Sequence, residues 1–278
     1  MNDATLRAGI VQTLAEGIRR LVAPNPGMMT GPGTNTYLVG EKNVAVLDPG
    51  PPIRTLLDAI QASATGELRY ILGTHTHPDH SPAAQVLATE TGAELLGRPP
   101  PEGRHQDRSF APHRILEDGE SLRTVEFELQ ALHTPGHASN HLCYLHRGHR
   151  VLFTGDHIIN GSTVVIDPPD GDMSQYIDSL IRLKSVDITS IAPGHGAVFT
   201  NPCEVIDWIV QHRLEREGKV LAALEEHGGL TSTELVPFVY ADVDKDRYAW
   251  AERSLLAHLV KLQRDGRASC ASDRWVRA

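Results

Sequence analysis

His75-Thr76-His77-Pro78-Asp79-His80 follows directly on the apolar run Tyr70-Ile71-Leu72. Such a run reads as a strand, so the cluster stands in a loop at a strand's carboxyl end, where ligands and catalytic groups commonly gather. His75 and His77 are two residues apart and in extended chain face the same side, able to grip one ion. Pro78 stiffens the turn, and Asp79 and His80, displaced by it, can address a second ion nearby. Three imidazoles so close together repel when protonated and gain nothing from proximity without a cation. The stretch therefore predicts a metal centre.

Three later positions repeat the placement of a ligand after an apolar run. His137 in Thr134-Pro135-Gly136-His137 follows a strand expected between Val125 and Leu132, Asp156 follows Val151-Leu152-Phe153-Thr154-Gly155, and His195 in Pro193-Gly194-His195-Gly196 follows Ile188 to Ala192. The glycines let the backbone bend so that each ligand can point into a cleft. Upstream, Val44 to Leu47 is a strand stopped by Asp48-Pro49-Gly50-Pro51-Pro52, and Ile53, Leu56, Leu57 and Ile60 recur at helical spacing. Ser81-Pro82 opens another helix with a capping serine and a proline at its first position. Val125, Phe127 and Leu129 alternate as in a strand, Leu142 to Leu145 is a further one, and Asp172 to Gln175 has a capping-box pattern. This mixture predicts an α+β fold of sheets flanked by helices.

The texture changes after Pro202. Val205, Trp208, Ile209 and His212 begin a long helix, Thr231-Ser232-Thr233-Glu234 is a capping box, and Leu255, Leu256, Leu259 and Val260 mark a helix ending at Asp265-Gly266. Helices followed by a short segment from Ala268 to Val276 predict a winged-helix-like arrangement. The expected domains are thus residues 1–202, carrying the chemistry, and residues 203–278. The tail holds 11 basic and 13 acidic residues, a balance that favours a packing role over nucleic-acid binding, although Lys261, Arg264, Arg267, Arg274 and Arg277 cluster at the end. It is expected to bound the mouth of the active site or a homodimer interface, with Trp208, Trp250 and Trp275 supplying apolar area.

Composition agrees with a soluble globular chain and excludes disordered and fibrous classes, with 278 residues, 40% hydrophobic and 22% charged. The net charge of −9 argues against general attraction to phosphate backbones. Fifteen histidines are abundant beside five phenylalanines and three tryptophans. Cys143, Cys203 and Cys270 are too scattered for a disulfide framework or a thiolate zinc site, which predicts a reducing cytoplasmic setting. Met1 to Arg20 carries Asp3, Glu16, Arg19 and Arg20 without an apolar core, so no secretory leader is expected. No uncharged apolar run approaches ~18 residues, so no membrane span is expected either.

At these positions the sequence resembles the metallo-β-lactamase superfamily: His75-x-His77-x-Asp79-His80, His137, Asp156 and His195 stand in the family's order within roughly residues 20 to 200. Gly33-Thr34-Asn35-Thr36-Tyr37-Leu38-Val39, Asp48-Pro49-Gly50, Phe153 to Asp156, Pro193 to Gly196 and His212-Arg213-x-x-Arg216-Glu217 resemble the lactamase-β-2-like branch, in which a winged-helix-like tail follows the catalytic domain. The resemblance implies an αββα sandwich with metals between the sheet edges. It gives His75, His77 and His137 to one ion, Asp79, His80 and His195 to a second, and makes Asp156 the bridge. Two zinc ions per chain are implied, with iron or manganese as alternatives for the same nitrogen and oxygen donors.

The chemistry so implied is hydrolysis. A water shared by two ions loses a proton near neutral pH, Asp79 orients the resulting nucleophile, and an ester, thioester or phosphodiester is attacked. True β-lactamases generally lack the bridging aspartate and the equivalent of His80, so Asp156 and His80 speak against antibiotic hydrolysis. Asn35 and Tyr37 resemble residues near the family's cleft and are implied substrate contacts. His141 either supports the site by hydrogen bonding or begins a strand, as does His157, and His141 joins the substrate-side candidates. His105, His113, His146 and His149 read as solvated loops. A small-molecule substrate is the expected partner. Other readings are an oxidoreductase resembling the mononuclear iron persulfide dioxygenases, and an RNA-cleaving endonuclease on the same fold.

Overall fold

The structure is a computed structural model that describes residues 6–278, so Asp3 and the first residues of the leader reading lie outside it. By their contacts the described residues fall into two compact units. The first takes residues up to 134 together with 140–162 and 186–202; the second takes 135–139, 163–185 and 203–278.

Two sheets build the first unit. One holds β1 (Gln12–Ala15), β2 (Ile18–Val22), β3 (Asn35–Val39), β4 (Asn43–Leu47), β5 (Glu67–Leu72), β6 (Glu94–Gly97) and β7 (Arg114–Ile115), in that order. β1 to β4 run antiparallel and β4 to β7 parallel. β4 and β5 are joined by α1 (Arg54–Ser63) and β5 and β6 by α2 (Pro82–Thr91), helices whose inward residues Leu56, Leu57, Ile60, Ala84 and Leu87 pack with Ile71 and Leu95. The other sheet has the order β13 (Phe199–Thr200), β12 (Ser190–Pro193), β11 (Val151–Gly155), β10 (Leu142–His146), β9 (Glu128–His133), β8 (Ser121–Arg123). A buried layer containing Tyr37, Leu47 and Leu72 from the first sheet and Leu129, Tyr144 and Phe153 from the second fills the space between them.

β5 is flanked by parallel neighbours, and β11 pairs in parallel with β12. The loops after β5, β11 and β12 therefore leave carboxyl ends of parallel strands, and they carry residues 73–80, Asp156 and His195.

The second unit contains α3 (Met173–Leu183), α4 (Pro202–Glu226), α5 (Ser232–Val239), α6 (Tyr248–Arg264) and the hairpin of β14 (Ala268–Ala271) and β15 (Arg274–Arg277). Asp172 caps α3 by accepting from the amides of Ser174 and Gln175, and α5 opens on the expected reciprocal box of Thr231 and Glu234. Val220, Leu224, Leu235, Leu255, Leu259 and Trp275 share a core, making helices followed by a wing. The fold class is α+β, a two-sheet sandwich with a C-terminal winged helix.

Several local expectations differ. Ser81 precedes α2 but caps nothing, because its hydroxyl donates to Asp107 Oδ2 at 2.7 Å. Val125 is 93% exposed and stands in the turn between β8 and β9. His146 is a buried residue of β10, and His113 accepts the Leu95 amide through Nδ1 at 2.9 Å. Trp208 is exposed, while Trp275 is buried. All three cysteines are free, and among the described residues no helix is long and apolar enough to cross a membrane.

Candidate metal centre

Asp79, His80, Asp156 and His195, from three separate loops of the first unit, bring one donor atom each within 4.8 Å of one another. Nε2 of His80 and Nε2 of His195 are 3.3 Å apart, and both lie 3.3 Å from Oδ1 of Asp156. Oδ2 of Asp79 is 3.3 Å from the His195 nitrogen and 3.6 Å from that of His80. Gly194 makes this approach feasible: a Cβ there would stand 2.7 Å from the His80 ring and 2.8 Å from Asp156 Oδ1.

Each imidazole is held by the nitrogen that faces away from the centre. His80 Nδ1 donates to Asp48 Oδ2 at 3.0 Å, and His195 Nδ1 to the carbonyl of Gly33 at 3.3 Å. Since a carboxylate and a carbonyl only accept, the lone pair of each ring falls on Nε2, as a metal ligand requires. Asp48 also accepts the Thr74 amide and hydroxyl, both at 2.7 Å. With its own hydrogen spent, Thr74 Oγ1 accepts from His75 Nδ1 at 3.0 Å, and His75 Nε2 then meets His77 Nδ1 at 3.0 Å. Asp48, at a left-handed φ of 47°, thus orients two ligand candidates at once. In sequence Asp48 reads as a strand stop, and its signal is an acidic residue at a strand's carboxyl end.

The electrostatics fit a cation. Two nitrogen lone pairs 3.3 Å apart repel unless a proton or metal lies between them. Without metal, protons fill that role. Burial opposes charge on His195, but Asp156 and Asp79 outweigh it and raise its pKa to about 9. His80 is raised likewise against its burial by Asp79 and Asp156. Burial would raise Asp79, yet His80 and the hydrogen bond from His195 bring it down to about 2. Asp156 is held well below the usual carboxylate range, its burial overcome by His195 and His80. Nitrogen and oxygen donors carrying two negative charges are a fitting set for a divalent ion.

The remaining candidates fall as follows. His137 belongs to the second unit, where Nδ1 donates to the carbonyl of Val165 at 2.7 Å. Asn35 and Tyr37, expected at the substrate, are buried and turned to the His195 loop: Asn35 Nδ2 donates to the carbonyls of Pro193 and Gly196, both at 2.8 Å, and Tyr37 Oη to that of Pro193 at 2.7 Å. His141 is also buried, its ring stacked on that of His75 at 5.1 Å and its Nδ1 2.9 Å from Thr134 Oγ1. His157 is buried as well, with its ring 5.7 Å from that of His141.

Residues 29–195 match the profile described as the Metallo-beta-lactamase superfamily, and residues 231–275 match the Beta-lactamase associated winged helix domain. The Beta-lactamase-like protein 2 homolog of Caenorhabditis elegans is 31% identical over 257 residues, covering 91% of this chain and 84% of that protein. A protein named Atrochrysone carboxyl ACP thioesterase from Aspergillus chevalieri is 32% identical over 251 residues, covering 85% of this chain and 77% of its own. Among solved structures, a metallo-beta-lactamase family protein from Thermus thermophilus superposes with a TM-score of 0.81 at 22% identity, over 96% of this chain and 100% of that one, a likeness of fold.

Proposed function

Because this chain belongs to the metallo-beta-lactamase superfamily, we propose that it is a dinuclear zinc hydrolase whose substrate is a thioester. The observation that carries the reading is the pair of Nε2 atoms 3.3 Å apart, flanked by two carboxylates held in their charged form. In this reading Asp79, His80 and His195 would hold one ion, and Asp156 would serve both it and a second ion, to which the family resemblance assigns His75, His77 and His137. The bridge and the His80 ligand favour a general hydrolase over a true β-lactamase. Thioesters are preferred to other esters and phosphodiesters because a relative of 32% identity carries a thioesterase name.

Bound cations of this kind supply an acidified water and a Lewis acid for the carbonyl. The protein's own part is orientation and charge. Asp79 has 28% of its side chain exposed against 15% for Asp156, so it is the carboxylate better placed to align a water and accept its proton. Asp48 and the Gly33 carbonyl keep the Nε2 lone pairs of His80 and His195 directed at the centre. Asn35 and Tyr37 brace the His195 loop, and the stacked ring of His141 fixes the plane of His75.

Metal analysis of protein purified without chelator, read with assays on acyl thioesters, lactones and single-stranded RNA, tests this. Two zinc ions per chain and fastest turnover of thioesters are expected. One retained iron per chain with no hydrolysis, or cleavage of RNA alone, would replace the proposal.

A further inference from the structure

The segment bearing His137 is built into the second unit. A Cβ at Gly136, whose φ is +143°, would lie 2.3 Å from the Cα of Tyr176 on α3, so the segment presses on the helix backbone. The Gly136 carbonyl accepts the Asp172 amide at 2.8 Å, Ser179 Oγ donates to the Pro135 carbonyl at 2.9 Å, and Ser139 Oγ donates to Asp170 at 2.5 Å. The ring itself is fixed from residues 163–167, a stretch without regular structure. The Val165 carbonyl meets His137 Nδ1 at 2.7 Å, while its neighbours are taken by the tail. Arg213 Nη2 of α4 donates to the Val164 carbonyl, and the Ile166 amide donates to Ser254 Oγ of α6 at 3.3 Å. Arg253 follows on Asp167 at 3.4 Å. Arg213 is 3% exposed and also lies over the Tyr176 ring, 5.3 Å from its centre, so one buried guanidinium touches both the stretch facing His137 and the helix beneath it.

We infer that Arg213 is a positioning residue for the metal centre: by fixing the 164–166 backbone it holds the Val165 carbonyl against His137 Nδ1, which puts the lone pair of that ring on Nε2. The inference rests on the dinuclear reading in taking His137 as a ligand. It gives the His212-Arg213-x-x-Arg216-Glu217 motif, which lies outside the ligand set, a task in the chemistry. A lysine could supply the charge but not a planar fork spanning a carbonyl and an aromatic face.

Two measurements on the full chain decide the matter. Zinc affinity is read by competition with a chromophoric chelator, and the His137 tautomer by nitrogen-15 NMR of metal-stripped protein. Arg213→Met is expected to weaken one of the two ions ~10–100-fold, leave the other unchanged, and turn a single Nδ1–H form of His137 into a mixture. Arg213→Lys should recover part of both. Ser254→Ala releases the same stretch from a different helix; it should move the same ion in the same direction, and it carries the test if Arg213→Met does not fold. Unaltered affinities and tautomer in the folded variants would overturn the inference while leaving the hydrolase reading intact. A wild-type chain that binds no zinc would sink that reading, and the tautomer would still decide the role of Arg213.

Discussion

Oδ2 of Asp48 lies 3.0 Å from Nδ1 of His80 and 2.7 Å from the hydroxyl of Thr74, which in turn is 3.0 Å from Nδ1 of His75. One buried carboxylate at the end of β4 thus orients ligand candidates on both sides of the Pro78 turn. Its charge, shared through the hydrogen bond, increases the basicity of the His80 ring.

Asp48→Ala should therefore weaken zinc binding by ~10–100-fold, as removal of such outer partners commonly does. It also leaves the buried Thr74 amide without its acceptor, a loss of about 1–3 kcal/mol in stability. Chelator competition and thermal melts of the same preparation check both effects. Unchanged zinc affinity would show that the rings hold their orientation without Asp48.

Asp79→Ala should reduce turnover ~100-fold or more, a far larger effect than on folding, although the zinc-loaded protein gives up the part of its melting temperature that this one ligand secures. The side chain sits in a loop, partly exposed, and no core packing depends on it. Parallel losses of activity and of folded fraction across a temperature series would instead identify a structural aspartate.

The metal-stripped protein should lose stability on the alkaline side. His195 is raised to about 9 and His80 is raised as well, so the native state holds protons that the unfolded chain releases near 6.5. Their contribution is complete below about 6.5 and disappears as pH climbs through 9. Asp79, down at about 2, and Asp156 act on the other limb, stabilising above the ordinary carboxylate value and failing as pH falls towards 2. His258, pushed well below its ordinary value by burial and by Arg213, Lys261 and Arg216, is neutral in both states above 6.5 and adds no slope there. Melting temperature from about pH 6 to about pH 10 is the measurement: the stripped protein should decline, and zinc, which replaces the protons, should flatten the curve. Equal slopes with and without zinc would contradict the assignment of His80 and His195 as ligands.

Much of this was legible in the sequence because the signals are local. The two-residue spacing of His75 and His77, the apolar runs before Asp156 and His195, and the Thr231–Glu234 box each lie within a few positions. What escaped depends on distant partners. The alternation of Val125, Phe127 and Leu129 imitates a strand, but Glu126 accepts the amides of Lys42 and Asn43 and commits the segment to a turn. Asp48 looked like punctuation because Thr74 is 26 residues away. Asn35 and Tyr37 stand in a stretch that resembles family residues near the cleft, yet their polar atoms reach the backbone of Pro193 and Gly196, which no local pattern announces.

The tail should not bind RNA tightly, despite its winged-helix shape. Its 11 basic and 13 acidic residues give a net negative charge, and the terminal cations that left an opening in the sequence already face carboxylates. Lys261 lies 2.9 Å from Glu217 and 2.7 Å from Asp265, Arg267 3.0 Å from Glu217, and Arg274 3.4 Å from Glu234; Arg264 pairs with Asp172 and Arg277 with Glu225. The exposed pairs are individually weak, Glu217 is itself buried beside Lys261 and Arg267, and a phosphate taking any of these cations leaves a carboxylate beside it, so each exchange gains little. Buried Arg213 and Arg216 are spent on backbone carbonyls. Fluorescence titration with single-stranded RNA at physiological salt should give a Kd in the non-specific range, ~10⁻⁴–10⁻⁶ M. A sub-micromolar Kd that weakens steeply with added salt and is lost when Arg274 and Arg277 are replaced by glutamine would make the wing a nucleic-acid surface.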